Sequence, residues 1–408
     1  MISLYNPFTP SEIAANPDDF FGRSEELGFL CNSLPQGSVA IQGVVGIGKS
    51  SLLSRGLLQM EGFDSNHSAK SIVAVGDRDI KTVDQAARLL VESFVTIDEK
   101  SKKISFKLGS VFETESVEIC RNFSEGRHLA VLKRLVEAEF LKGSLGDDKL
   151  LLLSVDEADK CPVPLARLVR AICTHTQHQG VKRVRFVFAG VSPFFQAMVD
   201  EDPGVNRFFN RNILLRPMSS EDAFELIETK LTKVAEVAER EKIAIAIDPD
   251  VIPRIVQLSG GHPHILQLLG SHLVTHESED PDGLIDARDL VNSLHRICFE
   301  DRAQVYDSIL HSLDLYGRRE ELETLLRLAY VGFPTKIARN RAIEGVGEEA
   351  LKWFVDHQLV SSADDSHYGL VDEFLRIRFI LSEAESPASE RRAERLIISA
   401  TRDRLLES

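Results

Sequence analysis

Residues Val39–Leu53 read VAIQGVVGIGKSSLL. An apolar run enters a glycine-rich turn that fits G-x-x-x-x-G-K-[ST], and a helical pattern of leucines follows. Such a turn between a strand and a helix is typical of a phosphate-binding loop, in which backbone N–H groups surround an anion at the positive end of the helix. A chance glycine turn is the alternative, but it would not explain the two flanks. The residues expected to contact nucleotide are Gly43, Val44, Val45, Gly46, Ile47, Gly48, Lys49, Ser50 and Ser51.

Three side chains of this loop have separate expected roles. Lys49 should reach the β- and γ-phosphates, and the Ser50 hydroxyl should bind a magnesium ion. The hydroxyl and N–H of Ser51 should contact the α-phosphate. The loop therefore predicts ATP and Mg²⁺ as cofactors.

Length and composition describe a globular protein. The chain has 408 residues, of which 43% are hydrophobic and 27% are charged, enough for two or three domains. It has no run of about 20 apolar residues and no signal-peptide pattern at its start, so we expect a cytoplasmic protein without membrane contact. Five scattered cysteines indicate free thiols. The net charge of −15 opposes general nucleic-acid binding, so that DNA could bind only at a local basic patch.

A second landmark is KLLLLSVDEADK, Lys149–Lys160. Its apolar run predicts a strand that is buried on both faces, as in the middle of a parallel sheet. Ligands collect at the carboxyl ends of such strands, where this one places Asp156 and Glu157. We expect Asp156 to complete the magnesium shell with Ser50, and Glu157 to orient or deprotonate the attacking water. The alternative is an acidic strand end that is merely solvated.

Two later stretches contain candidate catalytic side chains. VRFVFAGVS, Val184–Ser192, predicts another buried strand, and Ser192 after it could sense the γ-phosphate or cap the next helix. Arg207 and Arg211 precede a short predicted strand at Ile213–Leu215. Either arginine could stabilise transition-state charge in a neighbouring subunit, or be an ordinary surface residue. The period-two pattern around Gly109 predicts an inserted β-hairpin within residues 96–119.

Two glycine-containing segments have both structural and functional interpretations. DDFFGRSEEL, Asp18–Leu27, contains an F-x-G-R pattern, although a polar helix cap would explain part of it. LSGGHPHILQLLG, Leu258–Gly270, would stop one helix at its glycines and start the next at Pro263.

In this order, F-x-G-R, the phosphate loop, LLLLSVDEA, FVFAGVS and GGHPHILQ resemble the STAND ATPases and their archaeal-type and origin-recognition-like AAA+ relatives. The resemblance covers roughly Asp18 to His295. It implies that the segment with Arg23 lines the adenine pocket, and that the turn at His262 and Pro263 closes over the nucleotide, with His262 near the β-phosphate. Many AAA+ ATPases have an arginine near this helix start, where this chain has histidines. That departure favours a slow, switch-like ATPase.

The region after residue 299 predicts three helices and then two short strands, an order that suggests a winged helix. A stretch with basic and no acidic residues, which includes Lys336, Arg339 and Arg341, could contact DNA. The next predicted helix and wing are acidic, however, and like charges oppose docking on phosphates, which favours a protein-contacting or lid role. The arginine-rich C-terminal segment predicts a helix that docks on this chain's own core or on a partner.

The sequence thus predicts an α/β protein, with a P-loop NTPase parallel-sheet core, a small helical lid and a C-terminal winged-helix-like domain. The expected ranges are 1–217 for the core, 218–298 for the lid, 299–384 for the winged-helix-like domain and 385–408 for a C-terminal helix. The expected function is an ATP-hydrolysing molecular switch whose nucleotide state controls self-assembly or binding of a partner effector, with defence and signalling as candidate settings. The alternative is a DNA-bound AAA+ ATPase that regulates replication or transposition.

Overall fold

The computed structural model describes residues 3–62, 69–98, 103–106, 126–141, 150–181, 183–301, 303–329, 335–357, 359–362 and 366–382. They form two compact units: residues 13–216 make up the first, and residues 3–12 join 217–382 in the second. The chain therefore passes from one unit to the other after Glu12 and again after Arg216. The segment before Ile13 thus differs from the expected core range of 1–217. Both the lid range and the winged-helix-like range fall in the second unit, so their separation stays a prediction, and residues 385–408 lie outside the described residues.

The first unit is built on a parallel sheet. Its strands are β1 (Ser38–Gln42), β2 (Ala69–Val75), β5 (Leu150–Asp156), β6 (Val184–Gly190) and β7 (Phe209–Leu214). Its helices are α1 (Ser24–Ser33), α2 (Lys49–Gly62), α3 (Val83–Phe94), α4 (His128–Leu141), α5 (Pro162–His178) and α6 (Phe194–Glu201), with short 3-10 helices at Pro17–Asp19, Ala158–Lys160 and Pro203–Phe208. The strand order is β2-β5-β6-β1-β7, and every neighbouring pair is parallel.

Apolar side chains on both faces of the sheet explain these layers. One buried cluster joins the sheet to α3, α4, α5 and α6, and another joins its opposite face to α1 and α2. The interior strand β1 is buried along its whole length, as its apolar residues predict. The predicted α/β fold with a parallel-sheet core is confirmed.

The strand order places three chain segments side by side. β6 lies between β1 and β5. In a parallel sheet the carboxyl ends of all strands meet at one edge, so the loop after β6 lies between the phosphate loop and the acidic end of β5. This edge is where the candidate site forms.

An antiparallel hairpin lies at the start of the predicted insertion. β3 (Val95–Asp98) pairs antiparallel with β4 (Lys103–Phe106), directly after the end of α3. Gly109, the expected centre of the predicted hairpin, lies outside the described residues, so the hairpin around it stays a prediction.

The second unit is mostly helical. Its helices are α7 (Ser220–Arg240), α8 (Val251–Ser259), α9 (Pro263–Glu279), α10 (Ala287–Arg296), α11 (Ala303–Leu315), α12 (Arg319–Arg327), α13 (Arg339–Asp356) and α14 (Glu373–Ser382), with a π-helix at Ile297–Asp301. Its strands are β8 (Ala246–Ile247), β9 (Leu284–Ile285), β10 (Ile337–Ala338), β11 (Val360–Ser362) and β12 (His367–Leu370). β8 pairs with β9, and β10-β12-β11 form an antiparallel sheet. Gly347 interrupts α13 with non-helical backbone angles. The winged-helix interpretation stays a prediction.

Residues 3–12 are fixed on the helices of this second unit. Phe8 is buried against Gly270 of α9, where a Cβ atom would overlap the phenyl ring. The buried Lys230 of α7 donates to the Pro7 carbonyl at 2.8 Å, and His264 Nδ1 lies 2.9 Å from the Pro10 carbonyl oxygen. These contacts between residues far apart in sequence explain why the segment belongs to this unit.

Candidate functional site

The phosphate loop has the conformation that its glycines predict. Gly46 and Gly48 have positive φ angles of 75° and 97°, which side-chain-bearing residues rarely adopt. At Gly43 a Cβ atom would lie 2.8 Å from the Ile47 side chain and 3.1 Å from the Leu215 carbonyl oxygen. The loop therefore depends on three glycines, two for backbone angles and one for space. Val45 at its tip is 62% exposed.

Lys49 is the first residue of α2, and its amine lies near carboxylates. Nζ donates to the Val44 carbonyl at 2.7 Å, within the loop itself. Burial lowers the pKa of Lys49, while the charges of Asp159, Asp156 and Glu157 act in the opposite direction. A partly desolvated cation beside a ring of backbone N–H groups fits a phosphate chain.

The two serines of the loop differ in their surroundings. Ser50 is partly buried in the first turn of α2. Ser51 Oγ accepts a hydrogen bond from the Ala14 N–H at 3.1 Å. A hydroxyl that accepts one bond can still donate its proton, so this contact leaves the predicted α-phosphate bond available.

The acidic end of β5 is shaped by its own backbone. Glu157 has a left-handed backbone (φ 52°, ψ 36°), unusual for a residue with a side chain, and its N–H donates to Asp156 Oδ1 at 2.9 Å. The Glu157 carboxylate forms an ion pair with Lys160, three residues later. This hydrogen-bonded pair is the main reason that the pKa of Lys160 is raised. In the described structure, Glu157 is therefore held by a cation of its own turn.

Asp159 is a third acidic residue, to which sequence reasoning assigns no role. Its Oδ1 accepts from the Val191 N–H at 2.8 Å, so it ties the turn after β5 to the loop after β6. Gly190 allows this approach, because a Cβ there would lie 2.8 Å from the Asp159 backbone nitrogen. The sequence signal that could have indicated this role is an acidic residue three positions after Asp156.

Ser192 follows this anchored residue and is exposed. The N-cap of α6 is Pro193, and no side chain caps the helix, so Ser192 does not act as the cap. Contact of Ser192 with the γ-phosphate stays a prediction, and it suits a loop that lies between the phosphate loop and the acidic end of β5.

Arg23 is buried, at 5% exposure, and both of its terminal nitrogens are engaged. Nη1 forms an ion pair with Glu26 at 2.8 Å, while Nη2 donates to the carbonyl oxygens of Ile47 at 3.2 Å and Arg216 at 2.6 Å. The F-x-G-R stretch is thereby fixed to the phosphate loop. Its predicted role at the adenine pocket stays a prediction.

Arg207 and Arg211 both lie away from the phosphate loop of the first unit. Phe209 pairs with Ser38 at the amino end of β1, so Arg207 lies beyond the end of the sheet that is opposite the loop. Arg211 is on edge strand β7, with its guanidinium 5.2 Å from the Phe29 ring centre. Both side chains are exposed. The structure therefore does not bring either of them to the phosphate loop of the same chain.

The predicted lid turn begins α9. Gly260 and Gly261 have positive φ angles, His262 is the N-cap residue and Pro263 is the first helical residue, as the sequence predicts. The Met218 N–H donates to the Gly261 carbonyl at 2.8 Å. Nucleotide contact by His262 and Pro263 stays a prediction.

The three cations proposed for DNA are exposed on the second unit. Lys336, Arg339 and Arg341 all face solvent, although Arg339 also lies over the Tyr368 ring at 5.2 Å from its centre. Among the acidic residues nearby, Glu349 is paired with Arg318 at 2.6 Å.

Cofactor fit can be judged from the groups at the sheet edge. Backbone N–H groups and Lys49 suit phosphates, and the oxygen donors of Ser50 and Asp156 are of the kind that Mg²⁺ prefers. The described residues contain no cluster of three or more His, Cys, Asp or Glu side chains arranged as a metal site. None of the helices in the described ranges is long and apolar enough to span a membrane.

Comparisons with known proteins identify the family and the fold. The model of the family Novel STAND NTPase 1 matches residues 8–277. No curated protein shows significant similarity to the chain. The Walker-type ATPase PABY2304 of Pyrococcus abyssi shares the fold with a TM-score of 0.55 at 15% identity, over 90% of this chain and 98% of that one. The Aeropyrum pernix ORC2 protein, in ADPNP–ADP complexes, gives 0.50 at 14% identity, over 99% of both chains.

The family match covers about two thirds of the chain, including the phosphate loop, the acidic strand end and the lid turn. The predictions of a STAND-type relationship and of an NTPase are therefore confirmed. The chain belongs to the Novel STAND NTPase 1 family.

Proposed function

We propose that this protein is a slow, regulatory ATPase whose nucleotide state controls its self-assembly or its binding to a partner effector. The observation that carries the proposal is the sheet edge, where Lys49 and the carboxylates of Asp156 and Glu157 come together while Glu157 is held by Lys160. The ion pair with Lys160 competes with water for the Glu157 carboxylate, and slow turnover is the expected consequence.

Adenine nucleotide is the favoured ligand. The ORC2 protein, which shares this fold, forms complexes with ADPNP and ADP. In this chain Lys49, Ser51 and the loop N–H groups would bind the phosphates, and Ser50 with Asp156 would hold Mg²⁺. The ion would supply charge neutralisation for phosphoryl transfer. Glu157 would then orient the water for attack.

Assembly is tested by size-exclusion chromatography with light scattering. Glu157→Gln should bind ATP–Mg²⁺ without hydrolysing it, so we expect it to form an ATP-dependent oligomer in the absence of DNA. The matched control is Lys49→Ala, which lacks the phosphate-binding amine and should not assemble. If Glu157→Gln is saturated with ATP and keeps its nucleotide-free mass, self-assembly as the output is excluded.

The positions of Arg207 and Arg211 favour action on a neighbouring copy. Mixing Glu157→Gln with Arg207→Ala, two variants expected to assemble but to be inactive alone, should restore hydrolysis if Arg207 serves the neighbour's site. The same test applies to Arg211→Ala. The control is Arg240→Ala, which removes an exposed arginine of α7. Mixed samples that stay inactive would remove the trans role.

The exposed cations Lys336, Arg339 and Arg341 support one alternative, a DNA-bound ATPase serving replication or transposition. Phosphate contacts by these residues would make DNA binding fall steeply with salt. DNA binding that is stimulated by ATP, and that is weakened by Arg341→Ala, would establish this alternative. Absence of binding at low salt would exclude it.

A further inference from the structure

The chain passes from the first unit to the second at Arg216–Pro217. On both sides of this connection, a hydrogen bond holds a backbone group of the chain. On the first side, the Arg216 carbonyl accepts from Arg23. On the second side, the Met218 N–H donates to the Gly261 carbonyl. Only Pro217, with its fixed φ angle, separates the two contacts.

Arg23 connects this passage to the phosphate loop. A single nitrogen, Nη2, donates both to the Arg216 carbonyl at 2.6 Å and to the Ile47 carbonyl at 3.2 Å. Ile47 directly precedes Gly48 and Lys49. A change in the loop backbone when phosphate binds would therefore act on the same guanidinium that holds Arg216.

The contact on the second side is equally close. Gly261 has φ 76°, and a Cβ atom there would overlap the Met218 carbonyl oxygen. Met218 is itself buried. The backbone of Met218 therefore moves with Gly261, the residue that precedes His262 and Pro263.

We propose that Arg23 is a positioning residue that couples the phosphate loop to the lid turn. The relay runs from Ile47 through the Arg23 guanidinium to Arg216, along the chain to Met218, and from Met218 to Gly261. This inference rests on the proposed switch function and names the side chain through which that switch would work.

The chemistry of the guanidinium suits this role better than that of an ammonium group. Arg23 needs one end for Glu26 and another for two carbonyl oxygens, and the planar fork supplies these directions at once. The Arg23 Nε is buried without a hydrogen-bond partner in the described part of the chain. The cost of this unsatisfied donor is better explained by the paired contacts of the two terminal nitrogens than by simple packing.

The test compares Arg23→Lys with Arg185→Lys, both in a Glu157→Gln background. Arg185 is a matched control, because its guanidinium also donates to carbonyl oxygens, those of Leu34, Pro35 and Val184, but near the amino end of β6. Energy transfer between one dye on each unit reports domain arrangement. Each variant is measured at an ATP–Mg²⁺ concentration that saturates it, so that altered affinity cannot imitate lost coupling.

We expect ATP to change energy transfer in the parent and in Arg185→Lys, and the change to be abolished in Arg23→Lys. A full response in Arg23→Lys would overturn the relay. No response in the parent would instead contradict the switch on which the relay rests. These two failures are therefore distinguishable.

A second measurement needs no substitution of Arg23. Hydrogen–deuterium exchange of the unmodified chain should show that ATP–Mg²⁺ alters protection in peptides covering residues 214–219 and 259–264 together with the phosphate loop. If the energy-transfer signal responds to ATP but these two peptides do not, the relay is wrong even if Arg23→Lys fails to fold.

Discussion

Gly76 follows β2 and lies against the backbone of Asp156 and Glu157, so replacing it tests how these carboxylates are positioned without altering them. The Gly76 N–H donates to the Asp156 carbonyl at 2.7 Å. An added Cβ atom would overlap the Glu157 carbonyl oxygen and lie 3.1 Å from its carbon and 3.3 Å from the Asp156 oxygen. All three neighbours are backbone atoms, which cannot rotate away as a side chain could.

The expected cost of Gly76→Ala follows from this geometry. Relieving overlap with backbone atoms typically costs about 1–3 kcal/mol, since one segment must shift. For a unit of this size each kcal/mol lowers the melting temperature by about 2–4 °C, which gives a fall of roughly 2–12 °C. Displacing a reacting group by about 1 Å can cost about 100-fold in rate, so we expect kcat to fall by up to that factor.

Thermal unfolding and steady-state hydrolysis measure the two effects. Gly28→Ala is the control: it lies within α1, and a Cβ atom there would meet no heavy atom within 4 Å. This change should stabilise the protein by about 0.5–1 kcal/mol and leave kcat unchanged. If Gly76→Ala melts and turns over like the parent, the close packing against Glu157 is wrong. If it melts lower with parental kcat, Gly76 does not position the base.

Three further substitutions test other contacts. Ser154→Ala removes a buried hydroxyl that has no hydrogen-bond partner among the described residues, so the free energy of unfolding should stay level or rise by up to about 1–3 kcal/mol in denaturant titration; a fall would reveal a partner. Burial raises the pKa of Glu277 above its ordinary 4.5, so ionisation of this carboxyl destabilises the fold as pH rises through the raised pKa. Glu277→Gln should therefore be more stable than the parent at pH 7, and the gain in stability should be smaller at pH 4. An equal gain at both pH values would contradict this reasoning. Burial alone would raise the pKa of Asp84, but hydrogen bonds from the Leu129 N–H and with His128 outweigh it and lower the pKa. Asp84→Asn should therefore be less stable than the parent at neutral pH, and this difference in stability should become smaller as acid protonates the parent's carboxyl. A difference that does not change with pH would contradict this reasoning.

The central parts of the site could be predicted because their signals are local. The glycine spacing around Lys49 and the apolar run before Asp156 each lie within about a dozen residues. A strand buried on both faces and a loop that needs glycine both restrict the residue types directly. The parallel sheet then brings distant strand ends together at one edge.

The contacts of Arg23 could not be predicted in the same way. Two of its partners are backbone carbonyl oxygens, at Ile47 and Arg216, and any residue type supplies such an oxygen. The position of residues 3–12 could not be predicted from the sequence for a related reason. Phe8 packs on Gly270, far away in the sequence, and a glycine within a helical pattern does not indicate which aromatic ring will cover it.

The two passages of the chain between the units have a common design. The first passage follows Glu12. Before it, the Thr9 N–H donates to the Gln267 side chain of α9, and after it the Ala14 N–H donates to the Ser51 hydroxyl. Few residues are left between these anchors to absorb a change in backbone angles, and the second passage leaves only Pro217.

Each passage also ends close in sequence to a group that is expected to bind nucleotide. Ser51, which holds Ala14, is a predicted α-phosphate ligand, and Gly261, which holds Met218, precedes His262. Under the proposed switch, motion at either passage would therefore shift an anchor of the nucleotide site, and nucleotide binding would act on both passages. The response of the second unit to nucleotide would then follow from backbone connectivity, and the single buried Arg23 would carry the coupling at the second passage.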